Sequence, residues 1–182
     1  MEISDTLLKE KLKNPKTRRQ GFETLVRQYS EQLYWQVRRI VLTHEDSDDI
    51  LQNTFLKAWS SLDTFHGDSK IITWLSRIAI NEAIDFKRKQ KSHHTVSADD
   101  TEQGIVNQLM ADKYFDGDET EAQLQAAIDS LPDVQKTVFT LRYFNELKYS
   151  EISQITGTTE GALKASYHIA VKKITDFFHQ HD

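Results

Sequence analysis

Apolar residues recur at steps of three and four along most of the chain, the period of helices that bury one face. Leu25, Val26, Tyr29, Leu33, Val37, Ile40 and Val41 form the first such stripe, with Pro15 upstream where a helix can begin but not continue backward. A second helix is predicted from Ser47, which has cap chemistry, with Asp48 and Asp49 against the positive end of its dipole. Its expected buried face is Ile50, Leu51, Phe55, Ala58, Trp59 and Leu62. Residues 63–68 read as a loop in which Gly67 can take a positive φ. A third helix then runs over about 69–91, burying Ile71, Trp74, Leu75, Ile78 and Ala79.

The period disappears over roughly 92–120, a stretch of Asp, Glu, Ser, Thr, Gln and Gly that reads as a flexible tether, with Gln108-Leu109-Met110 at most a short docked turn. It returns at 122–128. Ser130-Leu131-Pro132 then stops and restarts the helix, and Val134, Val138, Phe139, Leu141 and Phe144 continue the stripe. A short helix over 149–155, the turn Thr156-Gly157-Thr158-Thr159 and a last helix follow, the last with Leu163, Tyr167, Ala170, Val171, Ile174 and Phe178 inward. No alternating strand pattern occurs. The expected fold is all-α: two small helical domains joined by a flexible acidic linker, the C-terminal one a helix-turn-helix. The expected boundaries are an N-terminal extension over 1–19, a domain over 20–92, the linker over 93–121 and a second domain over 122–182.

Composition narrows the class. Of 182 residues 38% are hydrophobic, enough for a core, and 2 Pro and 6 Gly are few for a sandwich or barrel. With 0 Cys there is no disulfide scaffold, no Cys-type zinc site and no thiol nucleophile. The polar, acidic start is unlike a secretory signal, and the most apolar stretch, 71–80, is interrupted by Arg77. These features predict a cytoplasmic protein without membrane insertion. The net charge of -5 hides an uneven distribution. Residues 1–91 hold 16 Lys/Arg against 13 Asp/Glu, residues 92–130 hold 1 against 9, and residues 131–182 hold 6 of each. An acidic segment thus masks a basic first half, and the overall balance does not argue against a nucleic-acid partner.

Three polar constellations carry candidate chemistry. Over 148–174 the short helix, glycine turn and longer helix suit major-groove insertion, with Thr159, Glu160, Lys164, Ala165 and His168 outward. A plain helical hairpin has the same period. Lys87, Arg88, Lys89 and Lys91 crowd the end of the third helix, with Trp74, Arg77 and Asn81 upstream. Cations, an aromatic and an amide suit single-stranded nucleic acid, although cations also complement a helix C-terminus. Asp48, Asp49, Gln52, Asn53 and Lys57 line the face opposite Phe55 and Trp59, which an ordinary exposed face would also do. Catalytic readings fail. Asp48 and Asp49 diverge by about 100° around the helix and cannot share a proton. His93-His94 and His179-x-His181 are poorly placed metal ligands, and no phosphate-cradling glycine loop occurs. No enzyme activity, metal or cofactor is expected.

Taken together, the segments Asp48–Trp59 and Thr73–Asp85, the pair Leu131-Pro132 and the run Tyr149-Ser150-Glu151-Ile152 resemble RNA polymerase sigma factors of the extracytoplasmic-function (ECF) type, over about 20–92 and 122–176. The resemblance implies binding of core RNA polymerase through Asp48, Asp49, Gln52, Asn53 and Lys57. It implies opening of the −10 promoter element by the 65–70 loop and third helix: Phe65, Lys70, Trp74, Arg77 and Asn81 toward the strand, and Lys87, Arg88 and Lys91 toward its phosphates. It further implies reading of the duplex −35 element of promoter DNA by Thr158, Thr159, Glu160, Lys164, Ala165, Ser166 and His168, and an anti-sigma factor as a further partner. Two departures stand out. Ala165 and Ser166 occupy positions where such proteins usually carry Arg or a second hydroxyl, and Lys136 stands where Arg is usual. The alternative is a freestanding helix-turn-helix regulator, which has no need of the Asp48–Trp59 segment.

Overall fold

A computed structural model describes residues 3–93, 102–112, 115 and 117–181. Its described residues form nine α-helices and one short 3-10 turn, with no strand. The chain divides into two compact units, Met1–Phe86 and Lys87–Asp182, the division falling inside a helix.

The first unit begins with α1 (Asp5–Lys13), which occupies part of the expected extension and docks on α2 (Arg18–Val41). Leu8 and Leu12, one turn apart, are buried. The crossing is close: a Cβ on Gly21 would lie 3.0 Å from the Cβ of Lys11, so glycine is what lets the helices meet. Both ends of α1 are tied to α2. The backbone of Ile3 exchanges hydrogen bonds with the Gln28 amide at 3.1 and 3.2 Å, and Thr17 and Arg18 donate to the carbonyls of Lys11 and Leu12.

Leu42, at φ 70°, turns the chain into α3 (His44–Ser60). The cap is Thr43, whose hydroxyl accepts from Asp46 N–H at 3.2 Å, rather than the expected Ser47. Ser47 instead lies inside the helix, fully buried, its hydroxyl donating to the Thr43 carbonyl at 2.6 Å. The buried strip of α3 is Ser47, Ile50, Thr54 and Ala58. Phe55 is only half-buried and Trp59 is 44% exposed, leaning edge-on against Phe22 at 5.0 Å between centroids. The sequence stripe was therefore rotated about the helix axis. The 3-10 turn Leu62–Thr64 leads through a loop to α4 (Ile71–His93), which starts two residues later than expected.

In the second unit, part of the 93–121 connector is folded. α5 (Glu102–Ala111) packs on α6 (Glu119–Asp129), burying Ile105, Val106 and Leu109, so the short docked turn is a helix of ten residues. Asp118 caps α6, its carboxylate accepting from Glu121 N–H at 2.9 Å. Leu131-Pro132 restarts the chain into α7 (Asp133–Tyr143). Across that joint Lys136 pairs with Asp129 at 2.5 Å, a single-carboxylate contact that needs no planar guanidinium. α8 (Tyr149–Thr156) ends at Gly157, whose φ of 71° is the left-handed cap, and α9 (Glu160–His181) packs on both α7 and α8. Leu163, Ala170 and Ile174 are its inward residues; Val171, expected among them, is 38% exposed.

Two substitutions check the helices that periodicity did not reveal. Leu8→Ala and Leu109→Ala each remove a buried leucine and should lower the unfolding free energy by about 2–4 kcal/mol. Urea unfolding followed by circular dichroism measures both; unchanged midpoints would mean that α1 or α5 is not packed as described.

Candidate nucleic-acid and partner interfaces

The strip that α3 buries leaves its opposite side free for a partner. Asp49, Gln52 and Asn53 are exposed there, and Leu56, within one turn of both Gln52 and Asn53, is 68% exposed in their midst. Leu56 was not singled out from the sequence, although its spacing places it on that face. A bare leucine ringed by an acid and two amides is the composition of an interface anchor with a polar rim. Asp48 and Lys57 sit on the two flanks and are already engaged. His44 Nε2 is 3.3 Å from the Asp48 carboxylate, with His44 Nδ1 2.8 Å from the Tyr34 hydroxyl. Lys57 forms an ion pair with Glu82 of α4.

The second surface is built by the 65–70 loop and α4. Trp74, Arg77 and Asn81, spaced three and four apart, share one face of α4; Arg77 is exposed, while Trp74 and Asn81 are half-buried. Phe65 stacks on Trp74 with centroids 4.5 Å apart and planes inclined by 23°. The two aromatic candidates are thus joined, and Phe65 also lines a recess of about 240 Å³ walled by Lys9, Lys13, Arg18 and His66. Lys70 is exposed beside it. Near the far end of α4, in the second unit, Lys87 is half-buried and Arg88 exposed; the side chain of Lys91 lies outside the described residues.

The third surface is the helix-turn-helix. Ile152 and Leu163, both buried, lock α8 against α9. Thr159, Glu160, Lys164, Ala165 and His168 are exposed, as their outward placement requires, while Thr158 and Ser166 are half-buried. Thr159 also accepts from Ala162 N–H at 3.4 Å, a capping role at the start of α9. No described atom outside the helix's own turn lies within 4 Å of where a Cβ on Gly161 would sit, so the helix surface is open at that point. Behind the exposed row runs an aromatic ladder. Tyr143 stacks on Phe139, Phe139 on Tyr167, and Tyr167 meets Tyr149 edge-on. Burial, followed by the neighbouring Tyr149, raises the Tyr167 phenol above its ordinary pKa. Tyr149, whose role the sequence did not disclose, receives two cations: Arg142 at 5.3 Å and Lys164 at 5.7 Å from its ring centre. Lys164 is therefore oriented as well as exposed.

Among the described residues no His, Asp or Glu cluster is arranged to hold a metal ion, and no helix is long and apolar enough to cross a membrane. His94 and the side chains of His93 and His181 lie outside the described residues.

Comparison with known proteins places both parts of the chain in one family. Residues 25–93 match the sigma-70 region 2 family and residues 121–174 match sigma-70 region 4. The RNA polymerase sigma factor SigV of Bacillus subtilis (strain 168) is 32% identical over 88% of this chain and 93% of its own length. The ECF RNA polymerase sigma factor SigW of the same organism is 31% identical over 90% of this chain and 92% of its own. Among solved structures, CnrH in complex with the cytosolic domain of CnrY has the same fold, with a TM-score of 0.70 at 20% identity over 98% of this chain and 99% of that one. The sigma factor RpoE in complex with the anti-sigma factor NepR, from Bartonella quintana, gives 0.66 at 19% identity over 87% and 96%. With two matched regions in order and a curated relative aligned nearly end to end, this chain belongs to the ECF branch of the sigma-70 family of RNA polymerase sigma factors.

Proposed function

We propose that this sigma factor binds core RNA polymerase through the Asp49–Gln52–Asn53–Leu56 face of α3, holds the opened −10 strand with the 65–70 loop and α4, and reads the −35 duplex with α9. The observation that carries this division of labour is chemical. One unit carries a half-buried stacking pair and a half-buried amide beside an exposed guanidinium, which suits unpaired bases, and the other exposes a short polar row on a helix locked for groove insertion. A promoter demands both, since it is melted at one element and remains duplex at the other.

The roles follow from geometry and charge. Leu56 is the apolar anchor for the polymerase, and Asp49, Gln52 and Asn53 complete its rim, while Asp48 pairs with His44 on its own helix and Lys57 ties α3 to α4. Arg77 supplies charge and Asn81 an amide for a base edge, with Lys87, Arg88 and Lys91 toward phosphates. On α9, Lys164 contacts a phosphate from a fixed direction, and the short side chains of Ala165 and Ser166 permit close approach but donate few base contacts. Discrimination at the −35 element then rests on fewer hydrogen bonds than an arginine would supply. The chain acts without catalysis of its own, in the cytoplasm where polymerase works. An anti-sigma protein that covers these surfaces is the natural inhibitor, a reading supported by the protein partners named for CnrH and RpoE.

The deciding experiment is binding of the purified chain to core RNA polymerase. Asp49→Ala/Gln52→Ala should weaken it by about tenfold or more, and Leu56→Ala by a similar factor. A folded wild-type chain that failed to bind core, with no inhibitor present, would overturn the assignment. On a selected promoter, Lys164→Ala should weaken holoenzyme binding evenly across −35 sequences and reduce the log–log salt slope by about one. A change confined to one base position would instead make Lys164 a base reader.

A further inference from the structure

The loop between the 3-10 turn and α4 is held from outside its own neighbourhood. α4 has no acidic residue in its first turn to meet the positive end of its dipole. The anion comes instead from Asp5, on α1, whose carboxylate accepts the Ile71 N–H at 3.0 Å. The other oxygen of the same carboxylate is 2.9 Å from the Lys9 ammonium. Lys9 in turn donates to the carbonyl of Gly67 at 3.0 Å. Gly67 has φ 84°, so this carbonyl direction belongs to a backbone conformation that glycine favours. One ion pair thus grips the loop at two points four residues apart, leaving Asp68, Ser69 and Lys70 exposed between them. Arg18 adds a third tie, pairing with Asp63 at 2.9 Å while donating to the Leu12 carbonyl at the end of α1.

We infer that α1 is a brace for the strand-opening loop, with Asp5 and Lys9 as positioning residues that set the loop and the N-terminus of α4 in the conformation that receives an unpaired base. The inference rests on the assignment of the 65–70 loop to the −10 strand. It goes beyond it by placing determinants of promoter opening on a helix that precedes the matched region 2 segment, 25–93. Asp5 and Lys9 touch no DNA in this scheme. Their effect passes through the position of Gly67 and Ile71, and so through Phe65 and Trp74 on either side.

The test uses the full chain with core polymerase and a promoter duplex selected by the wild-type holoenzyme from a library randomised at both elements. Three readouts are taken: core affinity, closed-complex formation, and the rate at which −10 thymines become reactive to permanganate. Asp5→Ala and Lys9→Met should leave the first two unchanged and slow the third by about tenfold, the loss of one charge-assisted hydrogen bond. Asp5→Asn, which keeps an acceptor for the Ile71 N–H, should recover most of the rate. Equal loss of core affinity and opening would reduce α1 to a structural element and overturn the inference. Normal opening by Asp5→Ala, with slow opening by Phe65→Ala, would also overturn it while leaving the loop assignment intact. Normal opening by both Phe65→Ala and Trp74→Ala would remove the loop assignment and the brace with it.

Discussion

The strip through which α3 meets the rest of its unit is narrow and mostly small: Ser47, Ile50, Thr54 and Ala58, all buried. Small side chains let helices approach closely, but two of these four are polar and need partners. They find them on their own helix, Ser47 donating to the Thr43 carbonyl and Thr54 to that of Ile50. The hydroxyls therefore enter the core without an unpaired donor and without drawing on any other element. Because so slim a strip suffices, most of the circumference of α3 remains available. Leu56 can stay bare, Gln52 and Asn53 can stay unburied, and Lys57 can tie α3 to Glu82 of α4 from the flank without covering that side.

α9 meets the same constraint differently. Its fully buried residues Leu163, Ala170 and Ile174 alternate large and small, and the remaining volume is filled by rings, Tyr167 of α9 itself packing with Phe139 of α7 and Tyr149 of α8. Phe139, buried, stacks on Tyr143 and Tyr167 together. Stacked pairs of this kind contribute about 0.5–1.5 kcal/mol each beyond the area they bury. The ladder also ends in Tyr149, whose ring lies under Lys164. Packing and presentation are thus coupled in this unit: the same aromatic column that seats α9 orients one of its exposed cations.

Local pattern carried the long helices and the helix-turn-helix because their information is local. Seven apolar residues of α2 repeat over more than four turns, and Gly157 sits where a left-handed cap is required. α1 and α5 were not legible for opposite reasons of scale. Leu8 and Leu12 form a stripe of only two residues among lysines, and Ile105, Val106 and Leu109 lie in a setting whose acidity suggested a tether. Thr43 and Ser47 both offer cap chemistry followed by carboxylates, and only the burial of Ser47 decides between them. At the surfaces, Asp49, Gln52, Asn53, Arg77 and Lys164 could be placed from helical phase alone. The pairing of Asp48 with His44 is an i,i+4 contact that phase also permits, but the tie of Lys57 to Glu82 and the stack of Phe65 on Trp74 depend on how side chains settle once the elements pack, and phase does not encode that.

That stack bears on how an unpaired base could be recognised. A Phe65–Trp74 contact contributes about 0.5–1.5 kcal/mol beyond burial. Stacking of a base on an aromatic ring contributes about 1–3 kcal/mol, with little preference among bases. In the proposed reading, a base that takes the place of Phe65 on the Trp74 face gains somewhat more than the ring contact it displaces, and the aromatic pair then contributes retention rather than choice. Choice has to come from groups that distinguish base edges, and on this face of α4 Asn81 offers both a donor and an acceptor. An amide reads an edge only when the base arrives at a fixed depth and angle. The backbone beside this face is the loop anchored at Gly67 and Ile71, so in the proposed reading the depth at which a base meets Asn81 follows from how firmly α1 holds that loop.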